Sequence, residues 1–172
     1  MPSRQEPEEH RIVVGVDGSP SSREALAWAV RHAALTGSVV DAVMTWHDRS
    51  SYDGYGWLMA ADSSYSELAA EMLAETVDGV VPAGSGVTVR QHAMEGNPAR
   101  VLLDAADGAD LLVVGSRGHG GFAGLLLGSV SQHCVHHSPC PVIIIRGHRE
   151  QRPGSGPFGP GTSASAVPRS GS

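Results

Sequence analysis

The feature that most constrains this chain is a short apolar run that ends in a glycine-rich segment. The run, Leu111 to Val114, stops at Gly115, and a Ser-Val-Ser sequence from Ser129 begins the next helix-like segment. Glycine lets backbone N–H groups converge because no side chain stands in the way. A helix N-terminus adds unpaired N–H donors and a partial positive charge. A buried strand, a glycine-rich loop and a helix start together predict a phosphate-binding site.

The glycines of this segment follow a defined spacing: Gly-x-x-Gly, nine further residues, and then Gly-Ser. We predict that the loop and the following helix start enclose a triphosphate, because a surface loop beside a helix cap rarely needs so many glycines. The hydroxyls of Ser129 and Ser131 can donate to phosphate oxygens while also capping the helix. Arg117 either adds a charge-assisted contact or points to solvent. The residues predicted to surround the phosphates are Gly115, Ser116, Arg117, Gly118, His119, Gly120, Gly121, Gly128, Ser129, Val130 and Ser131.

Apolar runs alternate with helix-like segments along the rest of the chain. Ser19 before Pro20 and Asn97 before Pro98 are helix-start signals, a capping residue followed by proline at the first helical position. Such alternation predicts a parallel sheet with helices on both faces, a doubly wound three-layer α/β sandwich. Ligands of such sheets lie beyond the carboxyl ends of the strands. We predict strands at 11–16, 39–45, 87–94, 109–114 and 142–145, and helices at 20–36, 63–80, 98–106 and 129–137.

Four segments of the chain, in the same order, match one known family. They are Ile-Val-Val-Gly-Val-Asp-Gly-Ser at 12–19, Gly-Asn-Pro at 96–98, the glycine spacing at 115–129, and Ser-Pro-Cys-Pro-Val-Ile-Ile-Ile-Arg at 138–146. Over residues 11–146 the chain therefore resembles the nucleotide-binding members of the universal stress protein family. The resemblance implies a sheet with strand order 3-2-1-4-5, bound ATP, and a homodimer formed through the last strand.

The resemblance also implies that the nucleotide contacts the end of the first strand. It assigns that role to Gly15, Val16 and Asp17. Asp17 would face the ribose or adenine, or order a metal-bound water near the phosphates; the alternative is an Asx-turn that stabilises only the local chain. We include Val114, the last apolar residue before the glycine loop, in the predicted site. The expected cofactor is ATP, bound either alone or together with Mg²⁺.

One further contact is predicted at the end of the second strand. Met44, or its neighbour Val43, either packs on the adenine or belongs to the core. The sequence alone leaves both alternatives open.

Composition narrows the class of function. A formal net charge of -6 disfavours nucleic-acid and anionic-membrane partners. The chain contains no lysine, which excludes a P-loop ATPase because that site needs a lysine after its glycines. No apolar run approaches the ~20 residues of a membrane span, and the polar, acidic start is unlike a secretory signal. We expect a cytoplasmic protein with one copy of a domain at 11–147 and disordered segments at 1–10 and 148–172.

A group of histidines and cysteines near the last strand invites comparison with metal sites. The spacing His133-Cys134-x-His136-His137-x-x-Cys140 matches no zinc-finger pattern, and adjacent residues on a helix diverge by about 100°. The Pro-Cys-Pro sequence resembles the family's turn into its last strand, where cysteine is a small buried hydrophobe. We therefore predict no metal site.

Motifs of hydrolases and redox enzymes, such as Gly-x-Ser-x-Gly, His-Glu-x-x-His and Cys-x-x-Cys, do not occur in the sequence. We predict an ATP-binding regulatory protein of the stress response that acts through unidentified protein partners. Two alternatives stay open. One is a slow nucleotide hydrolase or nucleotidyl transferase on the same fold, and the other is an interaction module that holds no nucleotide.

Overall fold

Strands and helices alternate along the chain as the apolar pattern predicts. The computed structural model describes residues 9–47, 63–118 and 127–147. The segments predicted to be disordered are 1–10 and 148–172. Of these, residues 1–8 and 148–172 lie outside the described ranges. The elements are β1 Arg11–Gly15, α1 Pro20–Thr36, β2 Val39–Trp46, α2 Ser63–Val80, β3 Val89–Glu95, α3 Pro98–Ala105, β4 Leu111–Gly115, α4 Ser129–His137 and β5 Val142–Ile145.

The strands form one five-stranded parallel sheet in the order β3-β2-β1-β4-β5. In the centre, Ile12 of β1 is in register with Val40 of β2 on one side and with Leu111 of β4 on the other. The order that the family resemblance implied is confirmed. The chain reverses its direction of winding between β1 and β4, so a crevice is expected at the carboxyl ends of these two strands.

Both faces of the central strands are buried, which explains the uninterrupted apolar run of β1. Ile12 and Val14 belong to the apolar cluster that packs under α1 and α2, where Leu26 and Leu73 are fully buried. Val13 belongs to a second cluster under α3 and α4. Successive side chains of a strand point to opposite faces, and each fully buried one stabilises the fold by about 1.5–3 kcal/mol.

The predicted helix ends are confirmed by their hydrogen bonds. Ser19 Oγ accepts from the N–H of Ser22 at 3.3 Å, at the start of α1. Gly37, with φ 71°, is in the left-handed region that favours glycine, and its N–H donates to the carbonyl of Ala33 at 2.8 Å. Asn97 Oδ1 accepts from two N–H groups in the first turn of α3.

Two strand starts lie two residues later than predicted, at Val89 and Leu111. Before β4, the N–H of Ala109 donates to the carbonyl of Ala106 at 3.0 Å, so this residue closes the turn that follows α3. Before β3, the N–H of Val87 donates to Ser85 Oγ at 3.4 Å. In both places a local turn competes with the strand for the backbone donor.

Asp41 is a buried carboxylate within β2, which no pattern in the sequence singles out. Its Oδ2 accepts from Arg11 Nη1 at 3.0 Å, and its Oδ1 lies 3.1 Å from Nε2 of His92. Arg11 also donates to the carbonyls of Ala105 and Asp107, at the C-terminal end of α3. Burial raises the pKa of Asp41, but the hydrogen bonds and charges of Arg11 and His92 outweigh that effect and hold the pKa below its ordinary value.

Candidate functional site

A cavity of about 630 Å³ opens at the carboxyl ends of the central strands. It lies where the order of the sheet reverses, between the turn after β1 and the start of α4. Such a position and size are typical of small-molecule sites in doubly wound folds. Among the residues predicted from sequence, those lining the cavity are Gly15, Val16, Asp17, Val114, Gly115, Arg117, Gly118, Gly128, Ser129, Val130 and Ser131.

Five predicted site residues do not appear in this lining. His119, Gly120 and Gly121 lie outside the described residues. Ser116 is buried: its N–H donates to the carbonyl of Ile145 at 2.7 Å, and its carbonyl accepts from the N–H of Gly128 at 2.8 Å. These bonds tie the loop to the strand beyond it, so the structure assigns Ser116 a structural position behind the cavity.

The fifth is Met44, which the structure places on the other side of the sheet. Its side chain is buried in the cluster under α1 and α2. Val43, the alternative raised at the sequence level, lines the cavity together with Thr45. The correction follows from strand geometry, because neighbouring side chains point to opposite faces. A difference of one position along β2 thus decides which of the two side chains lines the cavity.

Gly115 is required by the close approach of α1. A Cβ atom at this position would lie 2.7 Å from Ser21 Oγ and 2.8 Å from the Ser21 carbonyl carbon. The same helix start is linked to the loop by side chains, because the hydroxyls of Ser19 and Ser21 donate to the carbonyl of Arg117. The glycine that ends β4 therefore allows the two chain segments to pack in contact.

The N-terminus of α4 points its backbone donors toward the cavity. Its first intrahelical hydrogen bond runs from the N–H of Gln132 to the carbonyl of Gly128, at 2.9 Å. The N–H groups of Ser129, Val130 and Ser131 therefore have no acceptor within the helix. Gly128 at the cap position has no side-chain oxygen to accept from these donors, so together with the positive end of the helix dipole they favour an anion.

The two serines of this turn differ in their surroundings. Ser129 is exposed and lines the cavity. Ser131 is buried, and its hydroxyl donates to the carbonyl of Gly115 at 2.6 Å. The predicted capping role is absent from both, since α4 has no side-chain hydrogen bond at its cap. Ser131 joins α4 to the end of β4 instead.

Asp17 makes the local turn that was one of its two predicted roles. Its Oδ1 accepts from the N–H of Ser19 at 3.0 Å, and its own N–H donates to Ser22 Oγ at 3.3 Å. The other oxygen, Oδ2, lies directly beside Gly118, 2.5 Å from where a Cβ atom of that residue would be. Among the described lining residues, Asp17 and Arg117 carry the charges.

The remaining wall of the cavity is apolar. It is formed by side chains from β2, α3, β4 and α4, of which sequence reasoning missed the α3 contribution of Pro98 and Leu102. The Gly-Asn-Pro turn at 96–98 was the signal that could have located them, since it starts the helix that covers this side. One apolar wall, one carboxylate, one guanidinium and a cluster of backbone donors suit a flat ring joined to an anionic group.

These features define a doubly wound α/β protein with a crevice at its topological switch point. The chain belongs to the universal stress protein family, whose family model matches residues 9–146. This match spans all the strands and helices that the structure describes.

Relatives with established family names are close in sequence over most of the chain. The universal stress protein Rv2005c of Mycobacterium tuberculosis H37Rv is 37% identical over 141 residues, which cover 82% of this chain and 47% of that protein. The chain thus spans about half the length of the curated relatives it matches.

Solved structures share the fold. The universal stress protein UspA from Lactobacillus plantarum superposes with a TM-score of 0.64 at 25% identity, covering 82% of this chain and all of that one. A universal stress protein in complex with cAMP superposes with a TM-score of 0.59 at 28% identity, covering 82% and 99% of the two chains. Within the described residues, no helix is long and apolar enough to cross a membrane.

Proposed function

We propose that this protein binds an adenine nucleotide, with ATP as the preferred ligand, in the cavity at the ends of β1 and β4. The observation that carries the proposal is the cluster of backbone donors at Ser129, Val130 and Ser131, which have no acceptor within α4 and line the same cavity as Gly115 and Gly118. A helix N-terminus at the end of a crevice favours a phosphate group. The complex of a family member with cAMP supports an adenine nucleotide as the ligand class.

The lining suggests how the parts of a nucleotide would be distributed. The phosphates would bind at the start of α4 and beside Gly115 and Gly118, where no side chain stands in the way. The base would pack on the apolar wall that includes Val43 and Leu102. The ribose would lie between them, within reach of the turn that carries Asp17.

A triphosphate carries more negative charge than Arg117 alone can neutralise. Mg²⁺ is the ion that usually accompanies such phosphates, and it retains several of its waters in the process. Asp17, whose carboxylate is in the cavity wall, is the described residue that would hold such a hydrated ion. The ion would supply charge neutralisation, while the backbone donors of α4 would orient the phosphates.

Isothermal titration with ATP, ADP, AMP and cAMP, each with and without Mg²⁺, tests the proposal. We expect saturable binding of at least one of these nucleotides at one site per chain. Mass spectrometry of small molecules released from the denatured, freshly purified protein would identify a ligand that copurifies. Failure of all four nucleotides to bind at millimolar concentration would contradict the proposal and favour the nucleotide-free interaction module.

A slow nucleotide hydrolase is the second candidate function. The observation that favours it is the position of Asp17, which can order a metal-bound water near the phosphates. Phosphate release from ATP, measured in steady state with Mg²⁺, separates the two functions. A rate well above background that falls in the Asp17→Asn variant would favour the enzyme.

We further propose that the protein acts as a cytoplasmic homodimer that signals through protein partners. β5 is an edge strand that pairs with β4 along one side, and its residues Val142–Ile145 are apolar. An apolar edge strand favours association with another chain. Light scattering coupled to size exclusion, on the wild type and on Ile144→Lys, would test whether the dimer forms through this edge.

A further inference from the structure

We infer that His133 and His137 form a two-imidazole site for a divalent transition-metal ion such as Cu²⁺. Both residues lie on α4, four positions apart, and both are exposed. Their ring centroids are 4.4 Å apart. The inference is independent of the proposed nucleotide site, because it uses the exposed face near the C-terminal end of the helix.

Helix geometry separates this pair from the rest of the histidine and cysteine group. Residues four apart on a helix lie on one face, whereas adjacent residues diverge. Cys134 is accordingly turned into the core, where its side chain is completely buried. His136 is exposed, but its ring centroid is 6.3 Å from that of His137. The sequence-level argument against a metal site concerned the group as a whole and does not apply to this pair.

The kind of ion follows from the type of ligand. The two rings contact each other at an interplanar angle of 41°, so both must rotate to aim a nitrogen at a shared ion. Imidazole suits Zn²⁺, Ni²⁺ and Cu²⁺, and among these divalent ions Cu²⁺ binds a given nitrogen site most strongly. Cu²⁺ is therefore the ion expected to bind this pair most tightly.

The coordination sphere of such an ion would be completed from solvent. Within residues 9–47, 63–118 and 127–147, no group of three or more His, Cys, Asp or Glu residues is placed to hold a metal ion. A structural metal usually takes four protein ligands. Two protein ligands therefore make an exchangeable site with open positions, and rotation of the exposed side chains can aim one nitrogen of each ring at the ion.

The test is a titration of the full chain with Cu²⁺, added alone, followed by electron paramagnetic resonance. We expect that substoichiometric Cu²⁺ shows nitrogen couplings from two imidazoles. His133→Ala and His137→Ala should each reduce the coupling to one imidazole and weaken binding by on the order of 100-fold, because the second ligand of a chelate binds at high effective concentration. His136→Ala removes a histidine from the same turn and should change affinity by less than about twofold.

Circular dichroism of each variant checks that the fold is retained; since both side chains are exposed, we expect it to be. Coupling to a single imidazole in the wild type would overturn the inference. Equal losses of affinity in His133→Ala, His136→Ala and His137→Ala would do so as well, because they would indicate independent histidines. His133→Gln should show coupling to one imidazole, as His133→Ala does, because the amide of glutamine is a poor ligand for Cu²⁺.

Discussion

The carboxylate of Asp17 stands where a side chain at position 118 would have to be. A Cβ atom built on Gly118 lies 2.5 Å from Asp17 Oδ2, a separation that real Cβ atoms essentially never show. This contact joins the turn after β1 to the loop after β4. The two residues are 101 positions apart in the sequence. The second glycine of the Gly-x-x-Gly spacing therefore leaves room for the carboxylate of Asp17.

Replacing Gly118 by alanine should weaken ATP binding by about tenfold or more, because Asp17 or the loop must move within the cavity. Gly79→Ala is the matched control. It lies in α2, where a Cβ would meet only Arg23 Nη1 at 3.8 Å, an ordinary contact. Isothermal titration of both variants checks the prediction. Equal affinity in Gly118→Ala and Gly79→Ala would remove this loop from the proposed site.

Ser129→Ala should weaken ATP binding by about tenfold, the loss expected when one hydroxyl bond to a charged phosphate is removed. Ser131→Ala should act differently, because that hydroxyl already donates to the carbonyl of Gly115 and is buried. We expect it to lower the free energy of unfolding by about 1 kcal/mol and to change affinity less. Titration and urea denaturation of both variants measure the contrast. The reverse ranking of the two affinities would be inconsistent with the phosphate position proposed for α4.

Gly115→Ala should lower the free energy of unfolding by about 2 kcal/mol or more, because the added methyl group overlaps α1. Removing the hydroxyl in a Ser21→Ala background should not restore stability, since the carbonyl carbon of Ser21 lies 2.8 Å from the new Cβ. Urea denaturation of the single and double variants measures this. Full recovery in the double variant would show that the hydroxyl alone makes the close contact.

Asp41→Asn should lower the free energy of unfolding at pH 7 by about 2 kcal/mol, because it removes the charge of a buried carboxylate that is paired with the partly exposed Arg11 and His92. Asp104→Asn is the control: its exposed pairing with Arg100, at 3.9 Å, should contribute less than about 0.5 kcal/mol. Denaturation with urea at pH 7 compares the two.

The pairing of Asp41 also predicts that the stability of the protein depends on pH. The folded-state pKa of Asp41 is below its ordinary value, so its contribution is present above the unfolded pKa, about 4, and is lost as the pH falls through the folded pKa. The difference in stability between the wild type and Asp41→Asn should therefore shrink below about pH 4. A difference that stayed constant down to pH 2 would argue against a paired carboxylate.

Cys134 should resist thiol reagents in the folded protein. It is completely buried, and that burial raises the pKa of its thiol to about 11. In Cys140→Ser, where Cys134 is the remaining cysteine, labelling by a chromogenic disulfide should occur only as fast as the protein opens. The labelling rate should rise sharply with urea. Rapid and complete labelling of Cys140→Ser without denaturant would contradict the buried position.

Local signals in the sequence predicted most of the fold. Capping by Ser19 and Asn97, the stop at Gly37 and the apolar runs of the strands depend on neighbours within a few residues, so they could be recognised without the tertiary structure. The strand order needed more than this, because it depends on which runs pair. It came from the family resemblance and is confirmed by the sheet.

The loop and the helix start that border the cavity were predictable, because glycine spacing and a helix start are properties of one continuous segment. The choice between Val43 and Met44 was not, since it depends on which face of β2 meets α3. The structural position of Ser116 likewise depends on Ile145, which lies on a different strand.

The amino-acid sequence by itself determined the class of fold, the ends of its helices and the loop that borders the cavity. Only the tertiary structure decided that Gly115 must accommodate Ser21, that Gly118 must accommodate Asp17, and that Asp41 is paired with Arg11 inside the sheet. The physical reason is that the first group follows from local backbone preferences and apolar periodicity. The second consists of contacts between residues distant in sequence, which come into being only when the strands have paired and the helices have packed on them.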